Sequence, residues 1–343
     1  MSTAFHDDRS FSMGHPAVLA DILAVRDHAQ TSAAEAHAAL AKQIWSVLRA
    51  LGVTGGRMLV RGLDPESLAS ALPVQRAPHP GRLGQLHGAI PRPGTQHRDL
   101  VLTEFDPGFT PGVFDIVLLN APNSDVVHHD GRFRLERWRE HNQDVLSSVA
   151  YTAPGGLVAA VVSADVLDAA DAAPRRAMAV LADLLGAVRL PAGALRNVPG
   201  CDNPVDLLIL RRRADDQPGR GARFETSVPL RLDGVPVRPN EYFHTRIGDV
   251  LGRPTLRLLP YGPARLTVEP DQVSRRLDLD LGLALAEIVH TALDRGLVCG
   301  TGTAGAARGS PADLGPHGIG PGGTGLRSPQ PPDAGPGRPD PSL

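Results

Sequence analysis

Lysine and cysteine are nearly absent from this chain. Two cysteines, Cys201 and Cys299, are too few for a disulfide framework or a four-cysteine zinc site. Lys42 is the only lysine, so 34 of the 35 basic residues are arginine. With 37 Gly, 32 Pro and abundant Ala, this pattern reads as a genome-wide codon bias. Arginine richness alone therefore says little about nucleic-acid binding. No apolar run approaches the roughly 18 residues of a membrane span. Residues 1–16 are polar and acidic, unlike a secretory signal. These absences predict a cytoplasmic protein that makes no use of a membrane.

What is present suits a folded protein. The chain has 343 residues, 42% of them hydrophobic, and a formal charge of −2. That allows one large domain or two ordinary ones and excludes a wholly disordered chain. The near-neutral balance argues against a basic, DNA-wrapping surface and leaves room for a local patch. Residues 17–51 have helical spacing, with Thr31-Ser32 as a candidate cap for a helix running to about Ala50. Met58-Leu59-Val60, Leu100-Val101-Leu102, Val113 to Leu119, Leu157 to Val162, Gly186 to Leu190 and Val205 to Leu210 read as strands. Arg132 to Val149 and Pro174 to Leu185 read as helices between them. This alternation predicts an α/β domain with a mainly parallel sheet. Short strands and turns follow, with the hairpin-like run Leu230 to Val237, and Leu277 to Leu293 closes as a helix. Residues 73–98 give only faint strand signals. From Thr301 onward, 11 Gly and 9 Pro in 43 residues predict disorder.

The run Phe114 to Leu119 delivers Asn120-Ala121-Pro122-Asn123 to the carboxyl end of a buried strand. Ligands of open α/β sheets bind at that edge. An asparagine there accepts from an amino group, and the proline carbonyl accepts the second hydrogen. A plain Asn-x-Pro turn ending a strand is the other reading of the same residues. Further segments follow in order. They are Ile44 to Gly52 with Thr54 to Leu59, Tyr151 to Ser163, Leu181 to Pro191, Asp206 to Arg212, and Val237 to Phe243 with Val250-Leu251-Gly252. Together they resemble the N6-adenine DNA methyltransferase-like domain of bacterial methylase–helicase proteins, over roughly residues 40–293. The resemblance implies a Rossmann-like class I methyltransferase sheet and S-adenosylmethionine as cofactor. It also implies DNA as partner, with a helicase beside it. Asn120 and Pro122 would then hold the adenine amine and Asn123 would take the place of the stacking residue. Gly62, Asp64, Glu104 and Asp106 would lie against the cofactor.

The departures from that pattern are specific. The family turn of three glycines is here Gly62-Leu63-Asp64-Pro65-Glu66, with Val60 where an acid is expected. Two carboxylates near the cofactor's own carboxylate repel it, by about 4 kcal/mol per close pair at an effective dielectric of 20. The same residues also read as an ordinary strand–turn–helix start. Asp106 before Pro107-Gly108 reads equally as a turn residue. Asn123 stands for an aromatic ring, and losing its stacking costs roughly 1–3 kcal/mol. Arg132, Arg134 and Arg137 could contact DNA phosphates or form a solvated face with Glu136 and Glu140. His128-His129-Asp130 lacks a third metal ligand, and no metal is expected. The expected organisation is a helical segment (1–51), a methyltransferase-like α/β domain (52–214), a short β-rich extension ending in a helix (215–300) and a disordered tail (301–343). Methyl transfer is expected to be weakened or lost. The alternatives are a non-catalytic DNA- or protein-binding module and a truncated remnant of a methylase–helicase.

Overall fold

Helix α1 (Ala34–Ala50) opens the fold because its apolar residues recur every three to four positions. Leu40, Ile44, Val47 and Leu48 form its buried stripe, and Gly52 (φ +92) ends it. The protein is seen in a computed structural model that describes residues 26–27, 29–62, 67–68, 86–90, 111–121, 131–197, 204–257, 265–270 and 277–300. The backbone alone is described for 86–90 and 131–137. Thr31-Ser32 does not cap α1 as expected. The N-cap is Ala33, and Ser32 Oγ turns to the ring of His37 at 3.3 Å.

The strands are β1 (Gly56–Gly62), β2 (Leu86–Ile90), β3 (Phe114–Asn120), β4 (Thr152–Ser163), β5 (Ala182–Leu190) and β6 (Val205–Arg212). They form one open sheet in the order β2-β1-β3-β4-β6-β5. The pairs β1–β3 and β3–β4 are parallel, whereas β6 is antiparallel to both β4 and β5. β2 is antiparallel to β1. Four strands therefore share one direction, so the protein is mixed α/β with a mainly parallel central sheet. β3 and β5 are apolar almost throughout because both of their faces are covered.

One face carries α1 and α6 (Leu277–Asp294), whose Leu285 and Ile288 join Leu48, Val60, Ile116 and Leu118. At Gly186 of β5 a Cβ would meet Ile288 at 2.5 Å, so α6 lies close on that strand. The other face carries α2 (Gly131–Tyr151), the short α3 (Asp165–Asp168) and α4 (Ala173–Leu181). Val145, Val149 and Met178 there meet Val117, Val158 and Leu208. Phe224, Tyr242 and Phe243 from the following segment join the same cluster. That segment contains the hairpin β7 (Leu230–Leu232) and β8 (Val235–Val237), turned at Asp233-Gly234 with φ of 48° and 80°. It continues into α5 (Glu241–Thr245) and the pair β9 (Arg253–Arg257) and β10 (Arg265–Glu269).

Two expectations shift. α4 stops at Leu181, and Ala182 to Leu185 belong to β5, because Ala182, Asp183 and Leu184 pair with the end of β6 and Leu185 sits at a bulge before Gly186. A strand lies at Leu86–Ile90, inside the region of faint signals. The expected strand Leu100 to Leu102 and the expected disordered tail fall outside the described residues.

Candidate functional site

The chain order reverses between β1 and β3, since β2 lies on one side of β1 and β3 on the other. Such a switch point opens a crevice at the carboxyl ends of the strands. Gly62 ends β1 and Asn120 ends β3, and the two are register partners there. Gly62 has φ +95, and a Cβ on it would stand 1.9 Å from the Asn120 carbonyl oxygen. Only glycine fits that position. Asn120 is buried, its strand neighbour on the other side is Val161, and the Ala121 amide donates to the Val161 carbonyl at 3.0 Å.

A small cleft, with room for about one water, lies beside Asn120. Val161, Leu195 and Val205 give it apolar walls, and Thr31, Ser32, His37 and Arg196 add polar ones. The polar wall is built by two distant segments that zip together. Ala33 N donates to Leu195 O (3.0 Å), and Asn197 N donates to Thr31 O (2.8 Å). Arg196 forms an ion pair with Asp27 at 2.8 Å. Within this wall, His37 Nδ1 faces the Ala33 carbonyl at 3.0 Å. A carbonyl only accepts, so Nδ1 carries the proton and Nε2 is the acceptor atom of the neutral ring.

Arg61, next to Gly62, points to the opposite face. Its guanidinium donates to Ser147 Oγ (2.6 Å), Ser148 Oγ (3.0 Å) and the Asp144 carbonyl (3.2 Å), and lies over the Tyr151 ring. This fastens α2 to β1. The ring of His141 on α2 accepts from the Ser163 amide at the end of β4 (3.2 Å). Further along the same edge, Arg189 grips Asp206 through two bonds (2.7 and 2.8 Å) and Asp168 through two more (2.6 and 3.1 Å). Burial pushes the Asp206 carboxyl up to about 6, against the pull of Arg189.

The same cluster explains the segment Asn240 to Phe243. The Asn240 side chain caps α5 by accepting from Tyr242 N and donates to the Leu167 and Phe224 carbonyls at 2.8 Å each. Its backbone N–H donates to Asp168 Oδ1, and Arg189 stacks over the Phe243 ring at 4.3 Å. Tyr242 donates to Asp249 at 2.5 Å, and burial raises both of their pKa values. These residues hold the segment on the sheet.

Of the site residues expected from sequence, Gly62 and Asn120 are brought together. Pro122, Asn123, Asp64, Glu104 and Asp106 lie outside the described residues. Arg132, Arg134 and Arg137 fall in the first two turns of α2, where only the backbone is described. Arg211, Arg212 and Arg213 sit at the opposite edge of the sheet, donating to the carbonyls of Val298 and Leu181 and to Asp183. His37 and Arg196 were not legible as site residues, because only long-range pairing brings them to Asn120. Among the described residues no cluster of three His, Cys, Asp or Glu side chains is placed to hold a metal ion, and no helix is long and apolar enough to cross a membrane. No protein-family model matches the chain, and a search of curated proteins gives no significant match.

Proposed function

We propose that this chain is an N6-adenine DNA methyltransferase-like protein of the helicase-associated kind, in which S-adenosylmethionine-dependent transfer is weakened or lost. The observation that carries the reading is the register pair Gly62–Asn120 at the switch point. The resemblance selects these two residues independently, one for the cofactor turn and one for the amine. The open, mainly parallel α/β sheet supports it at the level of fold class. The cleft supports it too. Its apolar walls and polar rim border Asn120 where the amino group would be held, although the space between them is no larger than a water and a base would need it to widen.

The cofactor fits poorly. The space beside Gly62 is filled by the backbone of Asn120, so this glycine leaves no cradle. Asp64 and Glu66 follow Gly62 in the sequence and bring two negative charges where the resemblance implies glycines. The filled space favours a second reading, a non-catalytic module that keeps the cleft for DNA or protein.

Titration calorimetry with S-adenosylmethionine, followed by tritium transfer onto adenine-containing DNA, tests the proposal. Very weak or undetectable binding is expected, and any residual transfer is expected to vanish in Asn120→Ala. Tight binding by the native chain would refute the loss of the cofactor site. Transfer that survives Asn120→Ala would sink the assignment of this loop.

A further inference from the structure

Helix α6 turns Leu281, Ala284, Leu285, Ile288 and Ala292 into the core. Its outer face is mixed: Asp278, Glu287, His290 and Asp294 are exposed there, with the His290 ring 3.5 Å from Asp294, and three leucines stand among them. Leu279, Leu283 and Leu293 stand there at 45%, 69% and 45% exposure. Ala286 and His290 are exposed between them. The five positions follow one another at spacings of four, three, four and three. Over two heptads this is the spacing an a/d seam uses, with Ala286 and His290 between the leucines, and it is separate from the stripe the helix buries in its own core. With Leu279 as a d position, the e positions are Asp280, Glu287 and Asp294, all acidic. The g positions on the other flank are Gly282 and Val289. One edge of the seam is negative and the other uncharged.

We propose that this face of α6 docks an amphipathic helix of a partner protein, apolar at its own a and d positions and basic where it meets Asp280, Glu287 and Asp294. The seam spacing matches another helix and does not match the two-residue period of a strand. The acids select Lys or Arg opposite them. A second copy of this chain has the spacing but fails the charge condition. Antiparallel pairing sets e positions against e positions, acid against acid, and parallel pairing sets the acids against Gly282 and Val289. Residues 301–343 do not match either, because their large aliphatic residues Leu314, Ile319, Leu326 and Leu343 do not recur at heptad spacing. The inference is independent of the methyltransferase reading.

The test is fluorescence anisotropy of two labelled synthetic peptides against the full chain. One carries Leu at a and d with Lys at e and g, and the other has Glu in place of every Lys. The Lys peptide is expected to bind and the Glu peptide to fail. Leu283→Glu is expected to weaken binding by roughly tenfold or more with an unchanged melting temperature, since the residue is solvent-exposed. The combined reversal Asp280→Lys, Glu287→Lys and Asp294→Lys is expected to exchange the preference. Equal binding of both peptides, binding of neither, or no exchange in the reversed variant overturns the proposal. So does sedimentation showing a native dimer that Leu283→Glu converts to monomer, because a second copy would then occupy the face.

Discussion

Gly62 and Arg189 show how single residues govern this edge. At Gly62, any side chain meets the Asn120 carbonyl and a left-handed backbone at once. Gly62→Ala is expected to destabilise by at least about 1 kcal/mol, read as a lower denaturant midpoint at unchanged slope. Arg189 is the cation shared by two carboxylates, Asp206 and Asp168. Arg189→Leu leaves those charges without it, and a loss of about 3–5 kcal/mol is expected. Asp206→Asn is expected to cost less, because it removes a charge whose burial is unfavourable. The folded pKa of Asp206, about 6, lies above the ordinary carboxylate value of 3.8. The folded state thus binds this proton more tightly than the unfolded chain. Its contribution to stability is full below the unfolded value and is lost as pH rises through about 6. Urea unfolding at a series of pH values should show that decline in the native chain and a flatter profile in Asp206→Asn.

At the scale of elements, legibility followed how local each element's cause is. The runs at Val117, Val158 and Leu208 are apolar on both faces, and that pattern alone marks central strands. The start of β5 was hidden, because Ala182 and Leu185 continue the helical spacing of α4 while pairing with β6 decides their state. The wall of the cleft was hidden for the same reason. Thr31 and Leu195 carry no local sign that their backbones meet. The end of β3 at Asn120 was legible because the apolar run stops there at a polar residue. Val117 tests the strand reading directly. Its side chain is fully buried between Val145, Val149 and the neighbouring strands, so Val117→Asp introduces an unpaired carboxylate there. A soluble variant of normal stability, measured by thermal melting, would contradict the burial of β3; the expected outcome is a loss of several kcal/mol or failure to fold.

At the scale of the molecule, the boundary near residue 214 marks a change of composition more than a seam in the packing. The segment after it contributes to both clusters. Phe224, Tyr242 and Phe243 cover one face of the sheet, and Leu281, Leu285 and Ile288 cover the other. Asn240 then ties α3 to Phe224 through its two carbonyl bonds. Removing this segment would uncover β5 where α6 packs on one face and strip Phe224, Tyr242 and Phe243 from the other. Losing a single buried Phe or Leu side chain costs about 2–5 kcal/mol, which is already a large part of a domain's stability of about 5–15 kcal/mol. A fragment ending at residue 214 is therefore expected not to hold a native sheet. It should aggregate, or show strong dye binding and no cooperative melt. The full chain should melt in one transition, with the near-ultraviolet signal of Tyr242 lost together with the far-ultraviolet signal of the sheet. Two separated transitions, or a 1–214 fragment that melts cooperatively, would show that the α/β body folds without its extension. The shared clusters would then be a contact between two independent units.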